Sequence, residues 1–346
     1  MRHSAETLGA LIEQRAPGEW IDVRDADLTD ADLSGMRFER FIFGSHGPAG
    51  DPEPAVLRRT RFRGCTFVDC KLAHVHCIRT DFRLARLEDC DLRYASFARA
   101  TLANAKLAGC DFYRATFEEA VVFEDAVLER TSLSKASLGG VVDLERGTFE
   151  RGTPPALVQE DPDRYAEFLR RTLSDRPGDV REAIAGRLTE AALTYRTLSG
   201  LWTAQGCLPD AAWAYVRAKR LERASASPWH RGTPTHGLRW LRLTAADLLC
   251  SFGESLGRVV VWIGALALLP GVGYWTAGGV EDTSEGANAG LPDSLLFSAS
   301  RLTASTPERL SPATALVDWI GAAQTLFGIA LIGLLGFVLG NRLRSS

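Results

Sequence analysis

Two histidines and three cysteines lie between positions 65 and 77, and both residue types can bind zinc. The pattern around them repeats every five residues, which places Cys65, Cys70 and Cys77 at inward positions and His74 and His76 at outward ones. Side chains on opposite sides of the backbone cannot converge on one ion. We therefore predict no metal site, and we interpret the cysteines as small core residues.

Motifs for other chemistry are equally hard to find. The 346-residue chain has no glycine-rich phosphate loop between a strand and a helix, and no nucleophile elbow. Lys and Arg total 40 against 43 Asp and Glu, which gives a formal net charge of −3 at pH 7. We predict that the protein is not an enzyme, with no catalytic residues and no cofactor.

The five-residue period covers nearly half of the chain. Neither a helix, with a period of 3.6, nor a strand, with a period of 2, sustains a period of five, so stacked coils with a shared core are predicted. After position 122 the period slips by one residue and resumes at Leu128. The large apolar centres are Phe62, Phe67, Leu72, Cys77, Phe82, Leu87, Leu92, Phe97, Leu102, Leu107, Phe112, Phe117 and Val122.

This pattern resembles the pentapeptide-repeat family, whose chain winds as a right-handed quadrilateral β-helix with four repeats in each coil. The resemblance covers residues 22–150 and implies that fold, with the insert from Gly44 to Pro54 as a surface loop. It implies no particular chemistry, because family members share a shape rather than a function. Some members mimic duplex DNA and bind topoisomerases, but such mimicry needs an acidic rod. Acidic and basic residues nearly balance here, so we expect no duplex DNA partner.

Outward residues twenty positions apart are expected to lie above one another, about 4.8 Å apart. Arg59, Arg79 and Arg99 then form one column, capped by Glu119, while Arg63 and Arg83 form a second. Stacked arginines invite an anion such as a phosphate chain or an acidic helix. The alternative is a solvated face on which neighbours such as Asp69 and Asp81 neutralise the arginines.

Two long apolar stretches follow in the last hundred residues. Val259–Ala277 and Trp319–Leu339 carry no charge and approach the ~20 residues that a spanning helix needs. Basic residues precede the first stretch and follow the second, whereas acidic residues lie in the loop between them. We therefore expect an inner-membrane protein with both termini cytoplasmic and the acidic loop outside. The alternative is a pair of buried helices in a soluble domain. The basic residues are Arg239, Arg242, Arg258, Arg342 and Arg344, and the acidic ones Glu281, Asp282 and Glu285.

The segment between these stretches is too polar for a third span. With its flanks it resembles the two-transmembrane pore module of the potassium-channel superfamily, matching at Phe297, Ser298, Thr303 and Pro312. The filter itself differs, because the glycines that such filters require are missing. The resemblance implies a pore-module architecture, usually tetrameric, without potassium selectivity. The filter-equivalent residues are Thr303, Ala304, Ser305, Thr306, Pro307, Glu308 and Arg309, and Gln324 is the pore-lining candidate.

Helical spacing fills the region between the repeats and the membrane. Helices are predicted at Asp163–Leu173, Gly178–Gly200 and Pro209–Ala224, and the last two resemble a single tetratricopeptide-type hairpin. One hairpin cannot bury its apolar face alone, so it needs the flank of the β-helix or another subunit. Residues 238–249 read as an amphipathic helix on the inner membrane surface, or else as the first turn of a longer span.

These observations predict a pore-forming membrane protein, a homo-oligomer and most simply a tetramer, with a cytoplasmic sensor or assembly domain. The expected partners are other copies of the chain, the bilayer, and either an anionic cytoplasmic ligand (a nucleotide or oligonucleotide) or a protein. The architecture alone suggests a role in bacterial defence. The alternative is a non-conducting membrane-anchored scaffold. The expected segments are residues 1–21 (N-terminal), 22–150 (β-helix), 151–230 (connector), 231–258 (juxtamembrane helix), 259–277 (first span), 278–313 (loop and pore helix), 319–339 (second span) and 340–346 (tail).

Overall fold

The computed structural model describes residues 5–14, 16, 18–44, 53–161, 177–228, 234–284, 287–305 and 307–344. The helix expected at 163–173, and the residues Glu285 and Thr306, lie outside this description. The chain divides into two compact units, Met1–Trp240 and Leu241–Ser346.

The first unit is built on a β-solenoid of short parallel strands. Partners in neighbouring coils lie twenty residues apart, as Arg86 and Lys106 do. Four ladders run along the solenoid, which gives the coil four sides, and the longest ladder has five strands, so there are about five turns. The strands are β1 Ile21–Asp22, β2 Arg37–Glu39, β3 Phe41–Gly44, β4 Thr66–Val68, β5 Lys71–Leu72, β6 His76–Ile78, β7 Arg86–Glu88, β8 Ser96–Ala98, β9 Lys106–Ala108, β10 Thr116–Glu118, β11 Val121–Val122, β12 Val127–Glu129 and β13 Val141–Val142.

Phenylalanine rings fill the solenoid core in register with the coils. Phe62 stacks on Phe82 with 5.2 Å between ring centroids, and Phe97 stacks on Phe117 at 5.1 Å. All four side chains are fully buried. The inward positions predicted from the five-residue period are confirmed here.

The predicted register is wrong at one place, the corner before β11. Val122 is only partly buried, whereas Val121 and Phe123 are buried. This corner contains one residue more than the five-residue pattern predicts, because Glu119 and Ala120 both adopt left-handed backbone angles, with φ of 55° and 63°. The slip therefore precedes β11 rather than following Val122.

The insert between β3 and the next coil lengthens one turn. Asp27 pairs with Val56, 29 residues later rather than twenty. Residues 45–52 of this insert lie outside the described part of the chain.

Helices extend the solenoid core at both ends of the first unit. Leu8, on α1 (Ala5–Gln14), is fully buried in the core. After the last coil come α2 (Arg146–Glu150), α3 (Pro177–Ala204) and α4 (Leu208–Ser225). The indole nitrogen of Trp202 on α3 donates to the Leu144 carbonyl oxygen at 2.5 Å. The last coil of the solenoid is therefore the neighbour that the α3–α4 hairpin needs.

The second unit contains two helices that are long and apolar enough to span a membrane. In α6 (Leu256–Thr276), 11% of the most apolar part is buried, and in α8 (Ala315–Arg344) the buried share is 22%. A core helix of a soluble domain is, by contrast, mostly buried. Between them lie α7 (Leu291–Leu302) and the antiparallel strands β14 (Val280–Asp282), β15 (Ala287–Asn288) and β16 (Leu310–Pro312).

The juxtamembrane segment forms a helix of its own, α5 (Pro234–Cys250), within which the division between the two units falls. Ser251 and Phe252 take left-handed angles, with φ of 50° and 59°, and end the helix before α6 begins. These residues are therefore separate from α6 rather than its first turn. Beyond the break, Arg258 of α6 donates to the Asp247 carbonyl oxygen at 2.7 Å.

Candidate functional site

The α7 helix packs against both apolar helices at glycine positions. A Cβ atom on Gly271 of α6 would lie 2.7 Å from the Leu295 side chain. One on Gly328 of α8 would lie 2.9 Å from the Leu302 Cα. Only glycine permits backbones to approach this closely. The short helix predicted between the two apolar stretches is confirmed, with its position fixed by these two contacts.

The segment from α7 to β16 runs part of the way along the apolar helices and then returns. Leu302 lies beside Gly328, which is roughly 20 Å from the start of α8 at about 1.5 Å per residue. The chain then turns back, and Leu310 pairs with Asp282 in the sheet that follows α6. If α6 and α8 span a bilayer, this geometry is that of a re-entrant loop, the name used for this segment below.

A buried polar network joins the three helices. The Gln324 side-chain nitrogen of α8 donates to the Leu266 carbonyl oxygen at 2.8 Å and to the Ser298 hydroxyl at 2.7 Å. Its amide oxygen accepts from the Tyr274 hydroxyl at 3.1 Å, and Ser298 donates to the Ala267 carbonyl oxygen at 2.6 Å. Gln324 is 3% exposed. Within a single chain, Gln324, the residue predicted to line a pore, is therefore buried between the three helices.

The filter-equivalent residues begin where α7 ends. Thr303, Ala304 and Ser305 are exposed, and the Thr303 and Ser305 hydroxyls both donate to the Ser300 carbonyl oxygen. Ala304 has φ of 56°, which reverses the chain direction. Further along, Pro307 is partly buried and Glu308 is exposed.

Two arginines of this segment are held by carboxylates. Arg309 lies 3.4 Å from Asp282 and also pairs with Asp293, which holds the return segment against β14 and the start of α7. Arg301 lies 3.0 Å from Asp318 of α8, and its guanidinium lies 4.9 Å from the centre of the Phe297 ring. Both arginines therefore fix the loop in position.

The arginine column has an acid at each end. The backbone nitrogens of Arg59, Arg79 and Arg99 donate to the coil that follows, which stacks the three residues. Arg99 lies 2.8 Å from Glu119, as the spacing implies. Arg59 pairs with Asp30, and this hydrogen bond raises the pKa of the guanidinium. Among the described residues, none forms an ion pair with Arg79, so the charge without a partner lies at the centre of the column.

The second column has its own carboxylate. Arg83 lies 2.6 Å from Asp81. Burial opposes ionisation of Asp81, but hydrogen bonds from the Arg83 side chain and backbone outweigh it and lower the pKa of Asp81. The nearby Arg63 acts in the same direction. Asp81 therefore neutralises Arg83, as the alternative of a solvated face implies.

The cysteine and histidine positions agree with the five-residue pattern. Cys65, Cys70 and Cys77 are buried, while His74 is partly exposed and His76 exposed. Burial raises the pKa of the Cys65 thiol to about 11, which leaves it neutral. These cysteines pack as small core side chains.

A buried ionic cluster between the solenoid and the hairpin has no counterpart in the sequence patterns. Glu160 accepts from the Tyr195 hydroxyl at 2.7 Å and from Arg217 at 2.7 Å. The guanidinium of Arg217 lies 5.3 Å from the ring centres of both Tyr195 and Trp213. Burial, followed by the charge on Glu160, raises the pKa of Tyr195.

A serine in the turn before α6 has the G-x-S-x-G spacing of a nucleophile elbow, which the sequence-based expectation of no such motif overlooks, but its surroundings differ from those of an elbow. Gly253, Ser255 and Gly257 have the spacing of a nucleophile elbow. The segment before them is helical, and the Ser255 hydroxyl accepts from the Arg258 backbone nitrogen at 3.4 Å. Ser255 is therefore a helix cap.

Comparison with known proteins identifies the repeat region. Residues 57–141, which lie within the solenoid, match the family described as "Pentapeptide repeat region". No curated protein matches the chain.

Solved structures similar to part of this chain include pentapeptide-repeat proteins. QnrB1, a plasmid-mediated fluoroquinolone resistance protein, is 20% identical, with 36% of this chain and 58% of that chain covered at a TM-score of 0.27. HetL from the cyanobacterium Nostoc sp., involved in heterocyst differentiation regulation, is 17% identical, with 35% and 52% covered at a TM-score of 0.22. A protein from the Arabidopsis thaliana thylakoid lumen is 16% identical, with 40% and 83% covered at a TM-score of 0.18. The chain thus spans little more than half the length of the first two.

Proposed function

We propose that this chain is one subunit of an oligomeric membrane pore with a cytoplasmic control domain. The helices α6 and α8 span the bilayer, and both termini lie in the cytoplasm, because arginines precede the first span and follow the second. The pentapeptide-repeat solenoid and the helical connector form the cytoplasmic sensor or assembly domain.

The observation that carries this proposal is the re-entrant loop. Thr303, Ala304 and Ser305 are exposed at the level of Gly328, near the middle of α8. Irregular backbone at such a depth is unfavourable against lipid, because its polar groups find no partners there. The loop must therefore face other subunits or water. A simple tether would need only the two spans.

Several copies are needed to enclose a path. Leu326 and Phe327 of α8 are 71% and 65% exposed, so one copy leaves large apolar surface for lipid or for a neighbouring subunit. One pair of spans cannot surround a pore, and similarity to the two-transmembrane channel module favours a tetramer.

Ion selectivity in this proposal comes from side chains. The return segment lacks the glycines with which a potassium filter aligns its carbonyl groups. Glu308 is exposed and would repeat around the symmetry axis as an acidic ring, which favours cations.

Planar-bilayer recording from purified full-length protein tests the proposal. We expect cation-selective currents, and we expect Glu308→Lys to shift the reversal potential towards that of anions. The matched control is Glu281→Lys on β14, an exposed acid outside the return segment, for which we expect a smaller shift. Complete absence of current at several protein-to-lipid ratios would contradict the pore and leave a membrane-anchored scaffold.

Cysteine labelling tests the orientation. In a background in which the exposed Cys207 is replaced by Ser, an impermeant reagent should label Asn288→Cys from outside and spare Arg344→Cys. Labelling of both positions, or the reverse pattern, would contradict the proposed topology.

A further inference from the structure

The hairpin of the first unit contains a carboxylate surrounded by three cations. Glu222 of α4 is 5% exposed. Arg196 of α3 pairs with one of its oxygens, while Lys219 lies 3.3 Å and Arg239 3.7 Å from the other. One negative charge faces three positive charges, so this Glu222 cluster carries an excess of two positive charges.

Most hydrogen-bond donors of the cluster are not used by Glu222. Each guanidinium has five N–H groups and Lys219 has three, whereas one carboxylate accepts about four hydrogen bonds. The side chains of Arg196 and Arg239 are 47% and 48% exposed, so their remaining donors are accessible.

A cavity of about 160 Å³ adjoins these donors. A water molecule occupies roughly 30 Å³ in the liquid, so the cavity has room for the five heavy atoms of a phosphate group. Its polar lining consists of Thr189, Arg196, Glu222, Ser225, His236 and Arg239.

We propose that the Glu222 cluster binds a phosphate group, carried either by an anionic lipid headgroup or by a soluble phosphorylated ligand. Arginine pairs bidentately with phosphate, and a bound dianion would balance the two excess positive charges. The arginine column on the solenoid is a weaker candidate, because Asp30 and Glu119 neutralise two of its three arginines.

The position of the cluster in the chain connects it to the first span. Arg239 belongs to α5, which continues to Cys250 and is followed, after five residues, by α6. A ligand that draws Arg239 towards Arg196 acts on the helix that leads to the membrane. Control of the pore by this ligand rests on the proposed function, whereas binding itself does not.

Calorimetric titration of detergent-solubilised full-length protein with inorganic pyrophosphate tests the site. Removing two charge-assisted interactions, in Arg196→Gln/Arg239→Gln, should weaken binding about tenfold or more. Glu222→Gln, which removes the competing negative charge, should tighten it. The control Arg59→Gln/Arg79→Gln/Arg99→Gln, on the solenoid column, should bind as the wild type does.

Two further arms identify the source of the phosphate. Wild-type protein in nanodiscs should unfold at a higher temperature when phosphatidylglycerol replaces phosphatidylcholine if the ligand is a lipid headgroup, and the double arginine variant should lose this gain. A gain with pyrophosphate alone would assign the site to a soluble ligand.

Two results would overturn the site: equal pyrophosphate affinity of the wild type and the double arginine variant, or binding weakened by Glu222→Gln. Neither readout involves current. Failure of the phosphate site and failure of the pore are therefore distinguishable.

Discussion

Phe82 and Phe97 illustrate how single residues stabilise the solenoid. Each is buried and stacks on a phenylalanine one coil away. Replacing either by Ala should lower the free energy of unfolding by about 3 to 5 kcal/mol, because a cavity remains in the core. Denaturation of full-length protein, followed by near-UV circular dichroism, measures this loss.

The matched control for Phe82 is its neighbour Arg83, which lies on the outer surface. Its ion pair with Asp81 is exposed on the arginine side, so Arg83→Ala should lower the free energy of unfolding far less than Phe82→Ala does. Losses of equal size at positions 82 and 83 would contradict the assigned inward and outward faces.

Asp111 is a half-buried carboxyl that makes stability depend on pH. Burial, the largest cause, raises its pKa above the ordinary value of 3.8, so ionisation is less favourable in the folded state than in the unfolded one. Stability is therefore lost as pH rises through this pKa. Asp111→Asn should raise the unfolding temperature at pH 7 and have little effect near pH 3. The amide retains the acceptor for the Tyr113 backbone nitrogen.

Thermal scans of both proteins at the two pH values check this prediction. A variant less stable than the wild type at pH 7 would show that the charged form of Asp111 is the stabilising one.

At the residue scale, the five-residue period predicts most inward positions but fails where coil length changes. The corner at Glu119 and Ala120 takes one more residue than the pattern implies, because both adopt left-handed angles that side-chain type does not reveal. Asp30 was overlooked as the partner of Arg59, because the insert lengthens that coil to 29 residues.

Gly328 decides whether α7 packs against α8. A methyl group there would press on the Leu302 backbone at 2.9 Å, and overpacking of this kind costs about 1 to 3 kcal/mol. Gly328→Ala should therefore reduce the pore current by roughly tenfold or more through displacement of the re-entrant loop.

The control is Gly333→Ala on the same helix, where no atom lies within 4 Å of the added methyl group. Current recording, with assembly checked by size-exclusion chromatography, separates the two variants. Equal currents from both would show that the α7–α8 contact does not support the pore.

At the element scale, the positions of the helices follow from hydrophobic spacing, whereas the break before α6 and the ionic contacts between elements do not. Glu160, Tyr195 and Arg217 are far apart in the sequence and meet only because α3 and α4 cover the last coil. The Glu222 cluster likewise joins three helices. Such contacts depend on tertiary packing, which periodicity does not encode.

At the scale of the whole molecule, the sequence predicts a repeat domain, a helical connector and two apolar helices, and the structure has all three. The small sheet of β14, β15 and β16 is not evident from the sequence, because its strands are only two or three residues long. This sheet holds the end of the re-entrant loop, since Leu310 and Pro312 pair with β14.

The central claim is that the re-entrant loop lines a conduction path, and chemical modification at Ser305 tests it most directly. In the Cys207→Ser background, a charged methanethiosulfonate applied from outside should abolish most of the current of Ser305→Cys, because the added group would obstruct the path. The same treatment of Asn288→Cys on β15 should leave the current intact. Complete modification of Ser305→Cys, verified by mass spectrometry, with unchanged current would contradict the claim.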